Sequence, residues 1–481
     1  MGLRARLFRF AAARPRPFLI TAPGGTRTRL LVEAEMRRRG GRPAPAPAVA
    51  MILIVCGHPG AELAAAVDTI WDDMPGPRSL VRLGEAASGD EVAAALDRAD
   101  RELADVAAQW ADATARQESG PWAPGGQEDA EAAEQHGDHP AGHEDDDTAS
   151  SESDGSDDHG SMRHEHGDEQ NEGGKEEGHQ GDEPDNGHAD HSDHGDHRED
   201  SPEGEDEHSE HSGHGGGGHE HHMGAPMDLP MAERGDDRDG LKLDVLHVPL
   251  GPALQDWPAG LVIHLTLQGD VVQVAEVAAV EETAGGSSFW DEPWLRAASG
   301  ERVSTGEAER RRAACHLDSV GRLLAVAGWE SAADQARALR DQVLAGAAGD
   351  ELAPRFARFA RRTGRSRTLR WMLGRVGVID RATADRHGLT GPAARHLGDA
   401  SARLTGWLDE IGRALARADD PAPLDGADGP RGPIGRWPSA AVLAVLPELL
   451  EGAELSEARL TVASLDPDLE QFAVLAGVAG E

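Results

Sequence analysis

The chain has 481 residues, with 87 Asp and Glu against 47 Lys and Arg, a formal net charge of −40. That balance argues against a nucleic-acid surface, because phosphate binding needs a basic face. Only two cysteines are present, Cys56 and Cys315, in separate segments, so neither a disulfide framework nor a four-cysteine metal cluster is available and a reducing compartment is expected.

Residues 1–50 hold 11 arginines and two acids, Glu33 and Glu35, and close on the Pro/Ala run 42–47. They lack the continuous apolar segment of a secretory signal. The expectation is a basic flexible extension, or translated sequence ahead of a start at Met51. The apolar run 51–56 ends in Gly57-His58-Pro59-Gly60, and a helical pattern follows to Trp71. A second run at 79–83 precedes a helix expected over 90–110, opened by Ser88-Gly89-Asp90-Glu91. Strand–helix–strand–helix predicts a small α/β unit over 51–118. Its first loop has neither Gly-x-Gly-x-x-Gly nor the Lys of a P-loop, so it is read as structural.

Residues 119–235 read as a linker. Within them, 127–222 holds 33 acids, three basic residues (Arg163, Lys175, Arg198) and 17 of the 23 histidines. With so few apolar side chains to offset ordering, at roughly 1–2 kcal/mol per residue, disorder is expected. His188, His191, His194 and His197 recur every third residue, as do His208, His211 and His214, and His219, His221 and His222 follow. Neutral imidazole with neighbouring carboxylates binds divalent metals, Ni²⁺ or Zn²⁺ among them. Met223, Met227 and Met231 are interrupted by Pro226 and Pro230 and are read as packing residues.

The last segment, 236–481, predicts a folded α+β core. Leu241, Leu243 and Val245 alternate with polar residues. Leu261, Ile263, Leu265 and Leu267 share one face of a hairpin that turns at Gln268-Gly269-Asp270 and returns through Val272, Val274 and Glu276. Ala313, Leu317, Val320, Leu324 and Ala327 form a helical stripe, with further helices over 332–347, 351–362, 391–418 and 439–450. A strand is expected at 459–464.

Seven stretches in this core resemble, in their order, the motifs of one family. They are Gly251-Pro252, Leu267-Gln268-Gly269-Asp270-Val271-Val272, Leu317-Asp318, Gly377-Val378-Ile379, Gly388-Leu389-Thr390-Gly391-Pro392-Ala393-Ala394-Arg395, Gly429-Pro430-Arg431-Gly432 and Ser464-Leu465-Asp466-Pro467. The family is the 49-kDa subunit of respiratory complex I, together with the large subunit of membrane-bound nickel–iron hydrogenases. The resemblance spans residues 240–471. It implies a β-hairpin sheet plus helical bundle with an iron–sulfur small-subunit-like partner and membrane ion-translocating subunits. It also implies a cytoplasmic protein, peripheral on the cytoplasmic face of the membrane.

The departures from the family carry equal weight. Hydrogenases of this class hold nickel and iron with two cysteine pairs, whereas this sequence has no Cys-x-x-Cys, and Asp468 and Gln471 stand at the C-terminal pair. A single thiolate at Cys315 cannot build a bridged dinuclear site, so the core is expected to carry no cofactor. The complex I subunit grips a quinone through a loop histidine and a tyrosine. Here the loop 251–260 contains no histidine, with Pro258 at the corresponding place, Ser319 replaces the tyrosine, and the chain has no tyrosine at all. No catalytic residue is expected, and His264 and His316 are read as structural. The leading reading is a degenerate scaffolding or coupling subunit of a complex I-like or membrane hydrogenase-like assembly of the NADH–quinone oxidoreductase type. The alternative is a Ni/Zn buffer or chaperone acting through the histidine tract. A quinone reductase with a rebuilt pocket is the third.

Overall fold

Three short apolar runs build the first layer. The computed structural model describes residues 15–119, 233–236, 242–279 and 288–472. Strands β1 (Pro17–Thr21), β2 (Ile52–Cys56) and β3 (Ser79–Leu83) pair in parallel in the order β1-β2-β3. Every residue of β2 is buried, as a central parallel strand covered on both faces requires. Helices α1 (Thr26–Arg38) and α3 (Gly89–Ala104) pack on the face bearing Leu19, Ile52 and Ile54. Helix α2 (Ala61–Asp73) covers Phe18, Ile20, Leu53 and Val55 on the other. Burying each of these large aliphatic side chains contributes about 1.5–3 kcal/mol.

The extension expected over 1–50 is corrected here: residues 17–50 are folded. Phe18-Leu19-Ile20 is a strand, and α1 is held in place although arginines dominate its sequence. The single helix expected over 90–110 is two. Ser88 and Glu91 form the anticipated capping box at the start of α3. At Asp105 the backbone leaves the helix, and its carboxylate accepts from the Ala107 and Ala108 amides at 3.1 and 3.2 Å to start α4 (Val106–Ser119).

The second sheet is an antiparallel meander, β4 (Glu233–Asp236), β5 (Lys242–Leu250), β6 (Leu261–Gln268) and β7 (Val271–Ala279), in that spatial order. Gly269 and Asp270 form the two-residue turn, with Gly269 at φ +61°. Leu261, Ile263, Leu265 and Leu267 are buried on one face, as expected. The returning strand differs. A bulge between Thr266 and Leu267 shifts the register, so that Val272 and Ala275 face inward and Val274 is 43% exposed.

Helices α5 (Glu292–Ala298), α6 (Thr305–Val326), α7 (Glu330–Leu344), α8 (Gly349–Gly364), α9 (Arg367–Leu373) and α10 (Arg381–His387) follow. After them come α11 (Gly391–Arg395), α12 (Ala400–Ala416), α13 (Pro438–Leu450) and α14 (Leu455–Leu465). One core joins α6, α7, α8 and α12, and a second joins the meander to α13 and α14. The helix expected over 391–418 breaks at 396–399, where Asp399 caps α12 by accepting from the Ala402 amide at 3.0 Å. The strand expected at 459–464 is part of α14. Its residues from Thr461 to Leu465 are buried whatever their period, so alternation there carries no strand signal. Leu30 of α1 enters the helical core, and the described segments pack as one compact unit. The fold is α+β. Among the described residues no helix is long and apolar enough to cross a membrane.

Candidate functional site

Four of the seven family-like stretches meet round a buried chain of charges. On α6, the Asp318 carboxylate pairs with Arg29 of α1 at 2.7 Å and with Arg340 of α7, and Arg322 lies 3.5 Å away. Arg29 also holds Glu33 at 2.7 Å, and Arg340 reaches Glu33 at 2.9 Å. Arg322 continues to Asp466 at 2.9 Å, and Asp466 Oδ2 accepts from Arg431 at 2.6 Å and from the Ser319 hydroxyl at 2.7 Å. Burial alone would raise the Asp318 carboxyl, but Arg29, Arg322 and Arg340 outweigh it and hold it well below the ordinary range. Burial likewise opposes ionisation of Asp466, and Arg431 and Arg322 prevail. Asp466 adopts φ +42°, a left-handed conformation that costs about 1 kcal/mol for a non-glycine residue. Three partners hold it there.

Gly391 fixes the approach of two of these motifs. Its φ is +63°, and a Cβ at this position would overlap the Arg431 carbonyl. Gly391→Ala is expected to destabilise the fold by about 2–4 kcal/mol, from backbone strain plus overpacking. Thermal or urea denaturation measures this, and a loss under about 0.5 kcal/mol would mean the two loops are not in close contact.

The C-terminal end forms a second polar cluster. Asp468 accepts from the Ser288 hydroxyl at 2.8 Å and from the Glu470 amide at 3.1 Å. Gln471 donates to Asp291 Oδ2 at 2.8 Å and accepts from the Ser439 amide at 3.2 Å. Glu470 accepts from the Thr26 amide at 3.0 Å, placing a carboxylate at the N-terminus of α1, and from the Phe289 amide at 3.1 Å. Asp291 Oδ1 is buried with no hydrogen-bond partner. Burial, then the charge of Asp468, pushes the Asp291 carboxyl up to about 7. Burial, then Glu470, raises Asp468 to about 7. Such a pair can hold and release a proton near neutrality.

A third cluster centres on Glu410, which lies 2.7 Å from His396 Nε2 and accepts from Arg395 at 3.0 Å. His316 Nε2 stands 2.8 Å away, but off the hydrogen-bonding direction, so neither ring nitrogen is satisfied. Burial outweighs the neighbouring carboxylate and lowers His316 to about 4. It is therefore a neutral core residue at pH 7, and Arg395 supplies Glu410 with a permanent positive charge.

The site residues named from sequence divide accordingly. Ser319 and Asp466 come together, as do Asp468 and Gln471. Pro258 is buried in the loop whose Asp256 pairs with Arg337 of α7, and no hydrogen bond or ion pair joins it to Ser319. His264 is exposed on β6. The ten tract histidines, His188 to His222, lie outside the described residues. Sequence reasoning missed Arg29, Glu33, Asp291, Arg340 and Glu410. Only Asp318, a lone acid inside the apolar stripe of α6, left a readable signal.

The residues at the family's metal position do not fit a nickel–iron centre. Asp468 and Gln471 are engaged with Ser288, Glu470, Asp291 and Ser439, and burial holds the Cys315 thiol well above its ordinary range. Among the described residues no group of three or more His, Cys, Asp or Glu side chains is arranged to hold a metal ion. Where Thr390, Pro392, Arg431, Ser464, Asp466 and Pro467 meet, the cavity is about 20 Å³, room for one water.

Fold and site define an α+β chain organised round a buried ionic centre. No protein-family model matches the chain, and no curated protein is significantly similar to it. A solved structure of the membrane-bound sulfane sulfur reductase, an archaeal respiratory membrane complex, contains a chain similar to this one at 16% identity and a TM-score of 0.37. The match covers 48% of this chain and 98% of that one.

Proposed function

We propose that this chain is a degenerate subunit of a complex I-like or membrane hydrogenase-like assembly, where it scaffolds or couples a membrane ion-translocating module. In this reading it carries no nickel–iron site and does not reduce quinone, and redox chemistry belongs to an iron–sulfur partner. The protein is peripheral on the cytoplasmic face of the membrane. The observation that carries the reading is the convergence of the family-like stretches: Asp318, Arg431 and Asp466, with Gly391 against the Arg431 carbonyl, meet in one buried network. A network whose charges are already paired favours a structural role over a catalytic one. Purification from native membranes in mild detergent tests this. Membrane subunits and an iron–sulfur protein are expected to co-purify, and recovery of a free monomer would overturn the proposal.

A second reading is favoured by the histidine spacing: His188, His191, His194 and His197, then His208, His211 and His214. In it the tract buffers Ni²⁺ or Zn²⁺, releasing the ions below about pH 6 as imidazole protonates. Equilibrium dialysis of the full chain and of a variant lacking 127–222 decides the matter. Equal binding by the two would remove the tract from consideration.

A further inference from the structure

We infer that the outer side of α8 and α9 is a docking surface for an anionic lipid bilayer. Between Arg355 and Arg375 the sequence has eight arginines and no acid, inside a chain of net charge −40. All eight are exposed: Arg355, Arg358, Arg361, Arg362, Arg365, Arg367, Arg370 and Arg375. Among the described residues none of them forms an ion pair. Arg355 donates to the Gln342 side-chain carbonyl, and Arg362 lies over the Trp329 ring at 5.1 Å. The other six have no acid partner among the described residues.

The placement is one-sided. Leu352, Phe356, Phe359 and Thr363 are the buried side of α8, and Leu369 and Leu373 that of α9. Both helices pack on α12. Helical spacing sets Arg361 opposite that buried side and Arg355, Arg358, Arg362 and Arg365 along one flank of α8, over a length of about 15 Å. Charges spread along a side suit an extended array of headgroups, whereas a single anion is held by donors that converge. The second observation is Trp371, which is 81% exposed beside Arg370, on the side of α9 turned away from Leu369 and Leu373. Exposed indole beside guanidinium is the composition that settles at the headgroup level of a membrane.

The proposal differs from the reading above in naming lipid itself as the ligand, so protein-free vesicles test it alone. The full chain is incubated with vesicles of phosphatidylglycerol and phosphatidylcholine, or of phosphatidylcholine only, at about 0.1 M salt. Sedimentation with the anionic vesicles is expected, despite a net charge that by itself predicts repulsion. The triple variant Arg361→Glu, Arg365→Glu, Arg370→Glu is expected to bind at least about 100-fold more weakly, at about fivefold for each charge removed. Trp371→Ala is expected to lose about tenfold. All four side chains are exposed, so circular dichroism should show an unchanged fold. No sedimentation with anionic vesicles, equal sedimentation with both kinds, or an unaffected triple variant would each overturn the proposal. An acidic protein partner on this face is the occupant that the first and third outcomes would leave in its place.

Discussion

Asp318→Ala is expected to destabilise the folded chain by about 3–5 kcal/mol, the cost of removing one partner from a buried ion pair. The reason lies in what remains. Arg29, Arg340 and Arg322 all face this carboxylate, and with it gone Glu33, Asp466 and the less buried Asp341, which pairs with Arg340 at 2.9 Å, are left to balance three guanidiniums taken out of water. The loss also reaches the first layer, since Arg29 ties α1 to a residue 289 positions away. Arg29→Ala should cost less, about 1–3 kcal/mol, because Asp318 keeps Arg340 and Arg322. Urea denaturation read as a midpoint shift at constant slope measures both. A loss below 1 kcal/mol for Asp318→Ala, or a larger loss for Arg29→Ala, would contradict this ordering.

The second large effect is one of pH. Asp291 and Asp468 have folded-state values of about 7, above the unfolded carboxylate value of about 3.9. Between pH ~4 and ~7 the folded chain retains protons that the unfolded chain has released, so stability from this pair is complete below about pH 4 and is lost as pH rises through about 7. Asp318, Asp466 and Glu33 act with the opposite sign. Their folded values are lowered, so their stabilisation is present above the unfolded value and is lost as pH falls through the lowered ones. His316, lowered to about 4, contributes stability that is lost as pH falls from about 6.5 towards 4. The pair is isolated by comparing Asp468→Asn with the parent chain. An amide keeps an oxygen for the Glu470 amide and presents a donor to the Ser288 hydroxyl. The variant should match the parent near pH 4, at the lower end of this window, and exceed it by about 2–4 kcal/mol at pH 8. Urea midpoints at the two pH values provide the check, and a difference that does not change with pH would refute the assignment.

Much of the core was legible because local rules and burial agree there. The meander's inward face follows from alternation and a Gly-Asp turn, the start of α3 from a capping box, and the stripe of α6 from its spacing. Local rules fail where burial is set from a distance. Val274 faces outward because of a bulge. Helix α14 reads as a strand because nearly every residue in it is buried, which erases the period. The candidate site was half visible: Asp318, Ser319, Arg431, Asp466, Asp468 and Gln471 stood in recognisable stretches, whereas Arg29, Glu33, Asp291, Arg340 and Glu410 did not.

The sequence by itself determined the α+β class and the inward face of the meander. Only the tertiary structure decided that residues 17–50 belong to the fold. Arginines in α1 read as solvent-facing by composition, because a buried guanidinium is tolerable only beside a carboxylate. That carboxylate, Asp318, comes from another helix, and proximity of this kind is a property of packing that no local pattern contains.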